Sequence, residues 1–131
     1  MYKRQRRDLA ARVFFKLGQL RRNSGNDQDA VACFLKAVAL QPDSQAYYEE
    51  LGYTCLREKR YEEARKFLEQ RLRMAPAENG RVFLALAEVY ENVGPSGTAH
   101  RYYRRALDAF PESWDVSRSQ ALRGLERTQE R

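Results

Sequence analysis

The chain has 131 residues, of which 43% are hydrophobic and 32% charged, a size and composition that fit one soluble globular domain rather than a disordered chain. No apolar run approaches the roughly 20 residues of a membrane-spanning helix, and the start MYKRQRRDLAARVFF lacks the continuous apolar stretch of a secretory signal. The net charge of +6 sits at one end: residues 1–26 hold eight Lys/Arg and one acid, Asp8, whereas residues 27–131 hold 16 Lys/Arg and 17 Asp/Glu, which excludes a nucleic-acid surface over the whole body.

Taken in chain order, apolar residues recur three and four apart, and breakers interrupt them. A first helix is predicted over 8–23, ended by NSGND at 23–27. The second spans 27–40 and stops at QPDS (41–44). A third, 44–57, is followed by EKR (58–60), a turn without Gly or Pro. The fourth covers 61–74 and meets PAENG (76–80). A fifth, 80–93, ends at GPSG (94–97), a sixth spans 96–109, and PES (111–113) precedes a seventh over 113–129. Asp43, Ser96 and Ser113 stand where N-caps belong. No segment alternates with period two, so no strand is predicted.

The helices fall into a repeat. Pro42, Pro76 and Pro111 recur at spacings of 34 and 35, and Ala30, Ala64 and Ala99 keep the same step, as do Gly18, Gly52 and Ala87. Three markers in one phase point to a unit of two antiparallel helices. A glycine within a helix costs about 1 kcal/mol relative to alanine, so Gly18 and Gly52 need a reason. They are expected to admit the second helix of the pair closely, with Ala30, Ala64 and Ala99 as its matching small surfaces. Phe14, Leu17, Phe34, Tyr48, Leu51, Leu68, Phe83, Leu86 and Tyr103 are expected to fill the gaps between pairs. Each proline stops its helix, because it lacks an amide donor and clashes with the preceding turn.

These residues resemble the tetratricopeptide repeat signature, W-x2-L-G-x2-Y…A-x3-F…A…P in units of 34. The first repeat supplies Leu17, Gly18, Ala30, Phe34, Ala37 and Pro42. The second supplies Leu51, Gly52, Tyr61, Ala64, Leu68 and Pro76, and the third Leu86, Ala87, Tyr90, Gly94, Ala99, Tyr103, Ala106 and Pro111. Arg21 and Cys55 depart from the expected aromatic, and Arg71 replaces a small residue. The resemblance implies an all-α fold, a right-handed solenoid of three helix pairs (about 11–44, 45–78 and 80–113, within 8–111) after a basic segment, 1–7. A capping helix closes it over 113–131, burying Trp114, Val116, Leu122 and Leu125.

In this family the first helix of each pair lines the concave side. The resemblance therefore implies a partner-binding groove of Arg12, Phe15, Gln19 and Arg22, then Glu49, Glu50, Tyr53 and Arg57, then Arg81, Leu84, Glu88 and Glu91. Such a surface is basic at the start and acidic in the middle and at the end, with Phe15 and Tyr53 expected to be exposed, and suits a peptide or a partner helix. One subgroup clamps the acidic tails of chaperones with Lys, Asn and Arg. The corresponding residues here are Phe15, Gln19, Glu50, Arg81 and Ala85, of which only Arg81 fits, so tail binding is not expected.

Nothing in the sequence points to catalysis, a cofactor or a metal. His100 is the lone histidine and has no second ligand or nucleophile; it is expected to be solvated or half-buried. Ser96 has no acidic partner in an inferable pocket. The phosphate loops GxxxxGK[ST] and GxGxxG are absent, and GPSGTAH is read as a turn. The pairs Glu49–Glu50 and Glu62–Glu63 do not converge on their helices. The spacing of Cys33 and Cys55 matches no metal or redox motif. Both are expected to be buried, with a disulfide as the alternative, and free thiols favour a reducing, cytoplasmic compartment. The expected partner is a protein or peptide, not a small-molecule substrate or nucleic acid. Two alternatives stay open: the repeat portion of a larger enzyme or assembly protein, and a nucleic-acid binder using Arg4, Arg6, Arg7, Arg12, Lys16, Arg21 and Arg22, which do not share one face. Finally, MYKRQ resembles the translation of a transposon-based sequencing adapter. That resemblance implies an environmental, bacterial fragment whose protein continues upstream.

Overall fold

The computed structural model describes residues 2–75 and 79–129. These residues form seven helices and no strand. They divide into two compact units, 1–75 and 76–131. The first holds α1 (Tyr2–Asn23), α2 (Asp27–Leu40), α3 (Gln45–Arg57) and α4 (Tyr61–Met74). The second holds α5 (Gly80–Val93), α6 (Ser96–Ala109) and α7 (Asp115–Gln129). The predicted spans 27–40, 61–74, 80–93 and 96–109 coincide with α2, α4, α5 and α6. However, α1 starts at Tyr2 rather than residue 8, because Lys, Arg and Gln are good helix formers and nothing in the segment breaks them. Pro76, expected to stop α4, and Met1 lie outside the described residues.

In the first unit α1 pairs with α2 and α3 with α4. The glycines set the approach, but their partners are not the alanines. A Cβ added at Gly18 would stand 2.6 Å from Phe34 Cε1, and one at Gly52 would stand 2.5 Å from Leu68 Cδ2. Both distances are far below van der Waals contact. Phe34 and Leu68 therefore lie inside the helix pairs, on bare backbone, rather than between pairs. Ala30 and Ala64 are fully buried beside them. Large-on-small packing of this kind fills volume without a void.

The second unit repeats the scheme with α5 on α6. Ala87, Ala99 and Tyr103 form its buried cluster, with Leu84, Tyr90, Tyr102 and Leu125 packed around it. Here α7 departs from expectation. Trp114, Val116 and Leu122 are 49%, 74% and 48% exposed, and only Leu125 packs inward. The buried residues of α7 are Ala121, Gly124 and Thr128. Tyr103 is the cause: its ring occupies the space where a Gly124 Cβ would stand, so α7 can approach α6 only through a face of small residues. Trp114 precedes the helix and its ring lies 5.7 Å from that of Phe110.

The turns inside the pairs follow the same period. Gly25 and Lys59 both have positive φ, 86° and 59°, and occupy the same position in successive repeats. At each, two amides recover the last helical carbonyls. Gly25 N–H donates to Arg22 O and Asn26 N–H to Arg21 O, while Lys59 N–H donates to Leu56 O and Arg60 N–H to Cys55 O. This is the Schellman arrangement, whose left-handed residue is usually glycine. Gly94, one repeat beyond Lys59, also has positive φ, at 75°. The helix starts differ from the predicted caps. Ser44, not Asp43, accepts from Tyr47 N, while Asn26 and Asn79 accept from Asp29 N and Val82 N. Pro95 precedes α6, so Ser96 is its first residue rather than its cap. Ser113 lies in the turn that Trp114 N–H closes onto Pro111 O.

Gly52→Leu should wedge α3 from α4 and lower stability by about 1–3 kcal/mol, the usual cost of overpacking. Urea unfolding checks this, and an unchanged midpoint would refute the close-approach argument. Lys59→Gly should act oppositely. It relieves a left-handed residue that carries a Cβ, a strain of about 1–2 kcal/mol, at the expense of some unfolded-state entropy. A net rise of about 0.5–1 kcal/mol is expected by the same measurement.

Candidate functional site

In the first unit the predicted groove residues of α1 and α3 meet at Arg22 and Glu50, and most of them are engaged internally. Arg12 is exposed and Gln19 half-buried. Phe15 is not an open aromatic: its ring lies 4.6 Å from Tyr47 and 5.5 Å from Phe34, packed on the cluster of Ala11, Ala37 and Tyr47. Tyr47, in the first turn of α3, is itself nearly buried and needs this cover. Tyr53 is half-buried with its hydroxyl oxygen inside the fold, so it is a packing residue as well as a surface one.

The charges are spoken for in the same way. Arg22 of α1 forms an ion pair with Glu50 of α3, and both side chains are about four-fifths covered. Glu49 accepts from Arg71 Nε of α4 at 2.5 Å, and Arg71 Nη1 donates to Ala75 O at 2.9 Å. The Arg71 side chain is only 7% exposed. Its presence where the repeat favours a small residue is thereby explained: the guanidinium bridges, within its own helix pair, the Glu49 carboxylate of α3 and the carbonyl that ends α4. Arg57, more than half exposed, lies 3.4 Å from Asp27 of α2. Glu49, Glu50 and Arg57 are thus each matched by an opposite charge, so the expected acidic middle is neutral, whereas Arg12 stays exposed. The sequence signalled Arg71 as a departure, but nothing marked Arg71 or Asp27 as the partner of a groove residue.

In the second unit, Arg81 is exposed and Leu84 packs against the Ala87–Ala99–Tyr103 cluster. Glu91 is held in a network. Arg127 of α7 donates to it through Nε at 2.7 Å and Nη2 at 3.1 Å, and Tyr103 Oη donates to it at 2.5 Å. Burial, and then the Glu91 carboxylate beside it, push the Tyr103 phenol far above its usual range. The neighbouring Glu88 carboxyl is also raised, first by desolvation and then by the Glu91 charge, although the residue as a whole is exposed. Arg127 and Tyr103 were not legible as site neighbours, since α7 carries no repeat signature. His100 is half-buried, as expected, with Nδ1 2.9 Å from Thr128 Oγ1.

Both cysteines are free; Cys55 is buried, and Cys33 only partly. Burial pushes the Cys55 thiol up to about 11. Among the described residues no group of His, Cys, Asp and Glu could hold a metal ion, and no helix is long and apolar enough to cross a membrane.

A family model, tetratricopeptide repeat, matches residues 15–79. No curated protein matches the chain. Among solved structures it is similar to the first tetratricopeptide domain of Spaghetti bound to the HSP90 peptide SRMEEVD, with TM-score 0.81 and 15% identity over 94% of this chain and 93% of that one. The tetratricopeptide domain of Arabidopsis OM64 aligns with TM-score 0.83 and 17% identity, covering 95% and 98% of the two chains. The Yersinia enterocolitica type III secretion chaperone SycD, in complex with a peptide of the translocator YopD, gives TM-score 0.81 and 16% identity over 91% and 92%. Likeness at these identities shows the fold, an all-α helical solenoid.

Arg71→Ala should destabilise by about 3 kcal/mol, the lower end for breaking a buried ion pair, because it takes the guanidinium from the Glu49 carboxylate that lies beside Glu50. The double variant Glu49→Leu/Arg71→Leu should recover most of that loss in urea unfolding. If the single and double variants unfold alike, the pair is not coupled.

Proposed function

Because the chain belongs to the tetratricopeptide repeat family, we propose that it is a non-catalytic protein-interaction module that binds a peptide along the first helices of the pairs in its first unit, α1 and α3. The observation that carries this reading is the internal neutralisation on the α1–α3 face. Glu50 is paired with Arg22 and Glu49 with Arg71, so these helices keep Arg12 exposed and Gln19 half-open on α1 and the half-buried Tyr53 ring on α3. A cation, an amide and an aromatic edge on the first helices of two successive pairs suit an extended peptide that carries a carboxylate: the charge sets its register and the ring takes an apolar side chain. Rigidity matters, because a surface already locked by ion pairs and ring contacts has little entropy left to lose on binding. Two similar structures hold peptides, the HSP90 peptide on Spaghetti and the YopD peptide on SycD, which supports a peptide as the class of partner.

Selection from a library of random peptides displayed on phage tests this reading. The selected peptides are expected to be rich in Asp and Glu. Arg12→Glu and Gln19→Ala should each weaken them at least tenfold, about 1.4 kcal/mol, without shifting the unfolding midpoint. Tyr61→Ala, at the start of α4, is the control and should bind as the parent does. Peptides that bind the Arg12→Glu and Gln19→Ala variants undiminished would sink the proposal.

A further inference from the structure

We infer that the outward face of α1 is a second docking surface, shaped for an amphipathic helix of a partner protein whose flanks are acidic. Leu9, Val13 and Leu20 are 59%, 58% and 65% exposed. With the half-buried Leu17 and the stems of Arg12 and Lys16 they line one shallow depression along the helix. Their positions, four, eight and eleven residues from Leu9, form a single helical stripe. An apolar stripe left open along a helix marks an interaction site more often than a scatter of single exposed side chains does.

The fold itself shows what such a stripe receives. One repeat later, Val13, Leu17 and Leu20 correspond to Tyr47, Leu51 and Thr54 of α3. Those three are 7%, 0% and 0% exposed. Tyr47 is covered by Ala11 and Ala37, with Phe14, Phe15, Val38 and Leu40 around them, all from the preceding helix pair. The register that stays open on α1 is thus the one through which this chain stacks helix upon helix. A helix seated there continues an interface the protein already uses, with ridges entering grooves in the ordinary way.

Charge defines the flanks of that helix. Residues 2–23 of α1 contain eight Lys/Arg and one acid, and Lys16, with Arg12 at the edge shared with the groove, rims the depression. Glutamates or aspartates on either side of an apolar stripe would meet them. A second copy of this chain would bring a like-charged α1 to a matching site. A lipid surface would meet a depression instead of a protruding edge.

The test uses two synthetic helical peptides of equal length with the same leucine stripe at positions i, i+4, i+7 and i+11. One has glutamate flanks and the other lysine flanks. The full chain should bind the glutamate peptide at least tenfold more tightly than the lysine peptide, with affinity falling as salt rises. Val13→Ser/Leu20→Ser should lose at least tenfold, while its circular dichroism and its binding of groove-selected peptides stay unchanged. Equal binding of the two peptides, or parental binding by the double variant, overturns the inference. So does self-association in sedimentation that the double variant abolishes, which assigns the face to a second copy. Capture by vesicles of phosphatidylcholine and phosphatidylserine, lost in the variant while neither peptide binds, overturns it too and assigns the face to a lipid surface.

Discussion

A large side chain of the second helix resting on bare backbone of the first is the contact on which the helix pairs depend. Phe34 over Gly18 and Leu68 over Gly52 leave no room for a single added carbon. The distance between helices in these two pairs is therefore fixed by backbone rather than by adjustable side chains. Everything on the outer side of α1 and α3 inherits that fixity. The same logic, with the partners exchanged, places Tyr103 of α6 over Gly124 of α7 and decides which face of the last helix turns inward.

With spacing settled by packing, charge settles orientation. Arg22, Glu50, Glu49 and Arg71 run from α1 through α3 to α4 as two ion pairs that share adjacent residues of α3. In the second unit Glu91 collects Arg127 and the Tyr103 hydroxyl. Partly covered carboxylates need such company, because desolvation without a partner costs several kcal/mol. The residues that a surface reading credits with catching a ligand are in large part the ones holding the scaffold. What the scaffold leaves outward is narrower and more basic than the raw sequence implies.

The helices were legible because their punctuation was. Four spans agree end to end, and α2, α5 and α6 among them follow turns that carry Gly or Pro. The shared phase of the glycines and alanines likewise announced close helix pairs. Less was readable where burial had to be guessed from residue type. Trp114, Val116 and Leu122 looked like the inside of the last helix, but Tyr103 had already claimed the space, and only Ala121, Gly124 and Thr128 fit. Lys59 hid a left-handed turn behind a side chain that rarely takes one. Of the groove, the sequence placed Arg12, Gln19 and Tyr53 on the intended helices. It could not show that Glu49, Glu50 and Glu91 were matched by arginines on other helices, because pairing across helices leaves no local period.

The two adjacent glutamates of α3 also bear on how such a repeat can evolve. One answers to an arginine within its own helix pair, the other to an arginine in the pair before it. The second repeat is thus not an interchangeable brick. Copied elsewhere in an array, or spliced behind a different first repeat, it would carry Glu50 to a place with no cation waiting. A duplication that keeps Arg22 ahead of Glu50 preserves this ion pair, whereas one that copies the second repeat alone leaves the new glutamate without it.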